Sequence, residues 1–228
     1  MARRWVATSR TLSPRHRSAR RILATLKKQH PNPHTELRFR NPFELLVATI
    51  LSAQCTDERV NRVTPDLFKR FPNPKSLALA DLEELETLVK PTGFFRSKAR
   101  SLRGAAALLA EDHDGTVPAS MKSLVKLPGV GRKTANVVLG HALNVPGLPV
   151  DRHVLRVSRR LGLTQFNTAE AVEADLTALF PARHWTNVSD TLIRHGRSIC
   201  KPRPHCKLCT ARNICAYTEG GHTIPTLT

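Results

Sequence analysis

Leu127-Pro128-Gly129-Val130-Gly131-Arg132-Lys133-Thr134-Ala135 is the stretch whose reading decides the fold. Apolar residues recur at helical spacing before it, from Ser120 to Leu127, and after it, from Arg132 to Leu143. Gly129 and Gly131 frame a single valine, so the two helices are joined by a very tight turn and form a hairpin. Glycines let a backbone approach a ligand closely. The N–H groups that open the second helix point outward beside a positive dipole end, which favours a phosphate. Such a turn grips a nucleic-acid backbone without reading its sequence. A bare G-x-G also suits an ordinary helix corner with a glycine stop, but Arg132 and Lys133 follow it in a strongly basic chain, which favours phosphate binding. On that reading Gly129, Val130, Gly131 and Arg132 are nucleic-acid contacts.

Working outward, the periodicity is helical almost throughout and no alternating run is long enough for a sheet, so the expected fold class is all-α. Asn41-Pro42 is an N-cap followed by the one residue that tolerates the first helical position, and Phe43, Leu45, Leu46, Val47, Ile50 and Leu51 then cover nearly every face. That helix is expected to be buried. Others are predicted from Asp57 to about Phe71, where Pro65 should force a kink or restart, and from Ser76 to Val89, ended by Pro91 and Gly93. The pattern resumes over Arg96 to Glu111, Thr168 to Leu179 and Asn187 to about Ile199. Pro146-Gly147-Leu148-Pro149 reads as the clearest internal break.

The 228 residues suffice for one large core or two modest ones without covalent staples. Lysine and arginine total 36 against 18 acids, a net charge of +18, in a chain that is 40% hydrophobic. The longest strongly apolar stretch, Phe43 to Leu51, is far short of the about 20 residues a membrane span needs. A membrane-spanning protein is therefore excluded, and the partner is a nucleic acid, an anionic membrane surface or an acidic protein. Residues 1–34 hold Arg3, Arg4, Arg10, Arg15, Arg17, Arg20, Arg21, Lys27 and Lys28 and no acid, which is half of the excess. This segment reads as a phosphate-gripping arm, a solvated tail or a cleaved organellar presequence.

Lys133 stands near the positive end of its helix, an unfavourable place for a merely solvated lysine. An ordinary lysine, pKa about 10.4, is neutral in only about one molecule in a thousand near pH 7.4. Nucleophilic use therefore needs surroundings that disfavour the ammonium or a carboxylate that takes its proton. Asp151, in Val150-Asp151-Arg152-His153, follows the Pro-Gly break and reads as the cap of the next helix, which returns it toward the hairpin. As isolated features both residues also fit a purely structural role.

Four of five cysteines, Cys200, Cys206, Cys209 and Cys215, are spaced C-x5-C-x2-C-x5-C. With no secretion signal, a metal site is a better reading than disulfides. A zinc ribbon pairs two C-x2-C knuckles and only one is present, so tetrahedral zinc is open but not typical, and four close thiolates also suit a cubane iron–sulfur cluster with one cysteine per iron. Lys201, Arg203, His205, Lys207 and Arg212 surround the cysteines, so the loop is expected to lie against a nucleic-acid backbone. Cys55 stands apart as a buried small hydrophobe.

The hairpin with Lys133, the Val-Asp-x-His stretch with Asp151, the segment Leu51-Ser52-Ala53-Gln54-Cys55-Thr56-Asp57 and the cysteine cluster together resemble the endonuclease III family, bifunctional DNA glycosylases of the helix-hairpin-helix superfamily. The resemblance runs from about residue 20 to 217 and consists of four motifs in the family's order and spacing. It implies that Lys133 attacks the sugar C1′ of a damaged nucleotide, expels the base and forms a Schiff base, after which β-elimination breaks the strand on the 3′ side. Asp151 then activates the lysine or stabilises positive charge on the sugar. The nucleotide must be flipped out, and Gln54 matches the family's gap-filling glutamine. The turn Pro91-Thr92-Gly93-Phe94-Phe95 matches the loop that wedges the opposite strand, with Phe94 and Phe95 where leucine and tyrosine are common. Without the family, Gln54 reads as a helix-end residue and Phe94 as a core anchor. His153 is a further implied DNA contact.

The same resemblance implies one structural [4Fe-4S] cluster on Cys200, Cys206, Cys209 and Cys215, the first gap being one residue shorter than the family's usual one. It implies two helical domains facing a DNA cleft. One is a six-helix domain over residues 35–145, with the helix-hairpin-helix at about 121–140. The other is a cluster domain built from 1–34 and 146–228, with its iron–sulfur loop at 200–215. The expected activity is base excision repair, by removal of oxidised pyrimidines and abasic-site lyase cleavage, on double-stranded DNA and as a monomer. The expected location is the cytoplasm or nucleoid of a bacterium, or the nucleus or mitochondrion of a eukaryote. The rivals are an adenine-mispair glycosylase, a branch that typically lacks the lysine, and a non-enzymatic helix-hairpin-helix DNA-binding module. About the first 20 residues are expected to aid DNA affinity while being dispensable for chemistry.

Overall fold

A computed structural model describes residues 13–219, and every regular element among them is helical. No described helix is long and apolar enough to cross a membrane. Ser13 caps α1 (Pro14–Gln29) by accepting the His16 N–H. Asn41 caps α2 (Pro42–Leu51), its Oδ1 accepting the Glu44 N–H at 2.9 Å. Every residue of α2 after Pro42 is buried, Glu44 included. That carboxylate is satisfied by Arg40, whose backbone N–H and Nε donate to it at 2.7 and 2.9 Å.

α3 (Asp57–Arg70) runs through Pro65 unbroken, against expectation. Pro65 lies on the exposed side, so the buried stripe of Val60, Val63, Thr64, Leu67 and Phe68 that holds the helix is untouched. The helix expected over Ser76 to Val89 is instead two, α4 (Pro74–Ala78) and α5 (Leu82–Val89). Local capping explains the split: Asn73 and Ser76 form a reciprocal box, and Asp81 starts a fresh helix by accepting the Glu84 N–H. α6 (Phe95–Asp112), the single turn α7 (Met121–Leu124) and α8 (Arg132–Ala142) complete this part. α2 to α8 enclose one core extending from Leu37 to Leu139.

α9 (Arg152–Arg160), α10 (Ala169–Leu179), α11 (Trp185–Ser198), the cysteine loop and the terminal turn α12 (Ala216–Glu219) follow. Their apolar faces form a second core with Ala19, Ile22, Leu23 and Leu26 of α1. The two ends of the chain therefore share one core and the middle makes the other. From residue 14 the basic segment is consequently no free arm. Arg15 pairs with Asp175 at 2.6 Å and donates to the Leu163 carbonyl, and Gln29 donates to the Leu208 carbonyl. A truncation of the first 20 residues would cut into α1. The dispensable stretch has to be sought among residues 1–12, which carry Arg3, Arg4 and Arg10 and lie outside the described residues.

After the exposed Pro146, residues 147–149 of the Pro146-Gly147-Leu148-Pro149 break are buried, with Leu148 fully inside the second core. Gly147 lies so close to α8 that a Cβ there would stand 2.4 Å from the Asn136 carbonyl oxygen. From the other side Thr186 and Ser189 of α11 donate to the Gly147 and Pro149 carbonyls at 3.1 and 2.6 Å. Side-chain pairs also bridge the two cores: Arg132 with Glu173, Arg197 with Asp57, and the largely buried His141 with Asp190. Exposed pairs contribute only about 0–1 kcal/mol each, so they orient the halves more than they stabilise them. Gly147→Ala meets backbone on the crowded side, and urea unfolding should show a loss of about 1–3 kcal/mol.

Candidate active site and nucleic-acid interface

A cleft of about 970 Å³ lies between the cores, lined by Gln54, Asp57 and Lys133 on one side and by Asp151, His153 and Arg197 on the other. Lys133 and Asp151 also line a smaller cavity of about 80 Å³, together with Ser52, Val137, His141 and Asp190. The two residues singled out from distant stretches of sequence thus meet in one place. Lys133 is the second residue of α8 and exposed to the cleft. Asp151 caps α9, and its Oδ1 accepts the N–H groups of both His153 and Val154 at 2.8 Å. Both cap bonds fall on one oxygen, so Oδ2 is not used by the cap. Two helix N-termini with positive dipole ends therefore flank the cavity, one from each core.

The hairpin residues divide. Gly129 has φ +79°, and a Cβ there would stand 2.8 Å from the Ser101 Cβ, so the fold itself demands glycine. Gly131 has ordinary backbone, and a Cβ there would meet open space. What its lack of a side chain leaves clear is the approach to the uncapped first turn of α8. Val130 does not fit the expected DNA contact through its side chain: it is buried in the first core, and its N–H donates to the Leu127 carbonyl. Arg132 is engaged as well, holding Glu173 of α10 with Nε and Nη2, each at 2.8 Å. A phosphate must compete with that carboxylate.

Gln54 and Phe94 both have positive φ, 52° and 50°, rare for non-glycine residues and costing about 1–2 kcal/mol each. Both are exposed, and Phe94, with 67% of its surface accessible, is not the core anchor its chemistry alone suggests. The next residue, Phe95, is half-buried against the first core. Cys55 is only half-buried against that core. His153 lines the cleft, and burial lowers its pKa, which favours the neutral ring at pH 7. It faces Arg156, whose guanidinium lies 3.2 Å from Nδ1.

Cys200, Cys206, Cys209 and Cys215 all line one cavity, with Leu161, Ile199 and Pro204 as apolar wall. Burial raises the pKa of the Cys209 and Cys215 thiols. Arg160 Nη1 donates to Cys200 Sγ at 3.5 Å, and the His195 ring nitrogen Nε2 lies 3.6 Å from Cys209 Sγ. The Nε of Arg160 is buried without a partner. Among the described residues no three ligand-type side chains converge closely enough for a single ion. Four thiols around an apolar cavity, with the Arg160 guanidinium aimed inward, fit a wider anionic group better than a zinc ion. Arg156 and Arg160 of α9 also hold the start of this loop through the carbonyls of Cys200, Lys201 and Pro202.

Sequence reasoning passed over these two arginines, the buried His30–His195 contact of 3.0 Å behind Cys209, and Lys98. Lys98 alone left a usable signal, standing at a core-facing position four residues before Leu102 in an amphipathic helix.

Residues 47–182 match the HhH-GPD superfamily of base excision DNA repair proteins. Endonuclease III of Synechocystis sp. is 48% identical over 212 residues, spanning 92% of this chain and 97% of that protein. The Escherichia coli endonuclease III is 40% identical over 199 residues, 87% of this chain and 94% of that protein. A solved structure of a trapped endonuclease III–DNA covalent intermediate superimposes with a TM-score of 0.85 at 40% identity, covering 93% of this chain and 100% of that one. A thermostable thymine-DNA glycosylase, 22% identical with a TM-score of 0.80, shares the fold.

The two hairpin glycines should respond differently to alanine. Gly129→Ala is expected to destabilise the protein by more than about 1 kcal/mol. Gly131→Ala should hold stability to within about 1 kcal/mol while weakening duplex DNA binding, as measured by melting and fluorescence anisotropy.

Proposed function

Because the chain belongs to the endonuclease III family of the HhH-GPD superfamily, and so is a DNA glycosylase and abasic-site lyase of base excision repair, we propose that Lys133 is its nucleophile and Asp151 its electrostatic partner. The neutral Lys133 amine attacks C1′ of a flipped nucleotide as the bond from C1′ to the base breaks, and the base leaves with the electron pair and takes up a proton. Opening of the sugar ring leaves a Schiff base between Nζ and C1′. Loss of a C2′ proton then expels the 3′ phosphate. The Asp151 carboxylate accepts the proton that frees the lysine or offsets positive charge on the sugar. The observation that carries this reading is that Lys133 and Asp151, from different cores, line the same inner cavity beside the large cleft.

Gln54 fills the space left in the duplex, and Phe94 wedges the opposite strand. Exposure and left-handed backbone at both positions support those roles. The backbone of Gly129 and Gly131 bears on a phosphate, Arg132 reaches the same strand on leaving Glu173, and His153 contacts DNA as a neutral hydrogen-bonding ring. The substrate is double-stranded DNA bearing oxidised pyrimidines or abasic sites, bound by a monomer wherever the cell keeps its DNA, the nucleoid in a bacterium. Cys200, Cys206, Cys209 and Cys215 hold a [4Fe-4S] cluster, whose contribution when bound is to order the basic loop beside the cleft. The domains are residues 35–145, with the helix-hairpin-helix at about 121–140, and 1–34 with 146–228, a division supported by the two separate cores.

Borohydride reduction on duplex DNA with an abasic site or thymine glycol should give a covalent adduct with the wild-type protein. Lys133→Ala should give none, and an equal yield from that variant would refute the lysine assignment. Asp151→Asn should keep the cap and lower the single-turnover rate by about 10²-fold or more. Purified protein should contain about four irons and absorb broadly in the visible. Zinc without iron would exclude the cluster.

A further inference from the structure

Lys98, the fourth residue of α6, is a buried cation that the chemistry above does not use; only 5% of its surface is accessible. Its Nζ donates to the carbonyls of Leu51 and Thr92, each at 2.8 Å. Burial lowers its pKa, with the nearby Cys55 acting in the opposite direction. An interior ammonium is costly unless its donors are used, so these two bonds are what keep it there. Leu51 is the last residue of α2, where the carbonyls form the negative end of the helix dipole.

The two carbonyls belong to segments far apart in the chain. Leu51 leads directly into Ser52-Ala53-Gln54, and Thr92 sits in the turn that ends at Phe94. Each segment thus ends on a residue with left-handed backbone and an exposed side chain, and such strain persists only where the surroundings over-determine it. The Phe94 turn is held from several sides: the Lys98 N–H donates to the Phe94 carbonyl at 3.0 Å, and the Thr92 hydroxyl to the Val89 carbonyl at 2.8 Å. Among these bonds, those made by the Lys98 ammonium join the Phe94 turn to the Gln54 loop.

We propose that Lys98 is a positioning residue that sets the separation of Gln54 and Phe94, so that the two side chains enter a duplex together when a nucleotide leaves the stack. This rests on the gap-filling and wedging roles proposed above. A duplex offers a gap and an orphaned base, which must be met at a fixed spacing. Single-stranded DNA offers neither. The tie therefore matters for duplex substrates and little for an abasic site in a single strand.

The test uses Lys98→Met in the full-length protein, a side chain of similar length without charge or donors. Single-turnover cleavage of a thymine glycol duplex should slow by about tenfold or more, while borohydride trapping on single-stranded abasic DNA falls by no more than about twofold. Fluorescence of 2-aminopurine opposite the lesion should report a reduced rise on binding. Lys98→Gln, which keeps amide donors, should recover part of the duplex rate. Gln54→Ala should show the same split, and adding Lys98→Met to it should cost less than about threefold more. Equal loss on both substrates, no loss on either, or full additivity with Gln54→Ala overturns the proposal. If Gln54→Ala leaves the duplex rate unchanged, the gap-filling role falls and this inference with it. Absence of any wild-type adduct strikes the lysine chemistry itself.

Discussion

The return of the chain along α8 is the constraint on which the rest of the site depends. Between Ala142 and Arg152 the backbone leaves the first core and enters the second within a few residues, pressed against Asn136 on one side and bonded to Thr186 and Ser189 on the other. Because Gly147 lies flush with α8, the residues after it have little freedom, and Asp151 arrives beside the helix whose second residue is Lys133. A looser connection of the same length would still permit both cores. It would not hold a carboxylate and an amine in one small cavity, and positioning of that kind is worth many orders of magnitude in rate to an enzyme.

α9 carries the effect of this constraint across the second core. Its first residues cap onto Asp151, and its later arginines, Arg156 and Arg160, grip the carbonyls of residues 200–202. Lys201 and Pro202 in turn line the cleft that holds Lys133. The cysteine loop and the candidate catalytic pair are thus opposite ends of one short helix. α1 supports the loop from behind, through Gln29 and the His30–His195 contact. The cysteine loop and the wall of the cleft are therefore joined through α9.

Several arginines are already paired within the fold. Arg132, Arg15 and Arg197 each hold a carboxylate across an interface between elements. The net charge of +18 already discounts such pairs, but a paired arginine can meet a phosphate only by exchanging its carboxylate for it. The exchange is feasible because exposed pairs contribute little to stability.

What the sequence determined by itself was whatever obeys local rules. Asn41-Pro42 starts a helix because a cap and a fixed φ act within four residues. The hairpin needs glycine at residue 129 because a turn this tight requires positive φ, and four cysteines within 16 residues cannot lie far apart. Even the split of α4 from α5 was written locally, in Asn73 and Asp81, although the longer apolar spacing hid it. Only the tertiary structure decided that Val130 turns inward, that Phe94 stays outside the core, that residues 14–29 belong with the C-terminal half, and that Lys98 ties two loops together. Each of these depends on which surfaces meet when the helices pack. Packing joins residues tens to more than a hundred positions apart, for which side-chain periodicity within one helix carries no information.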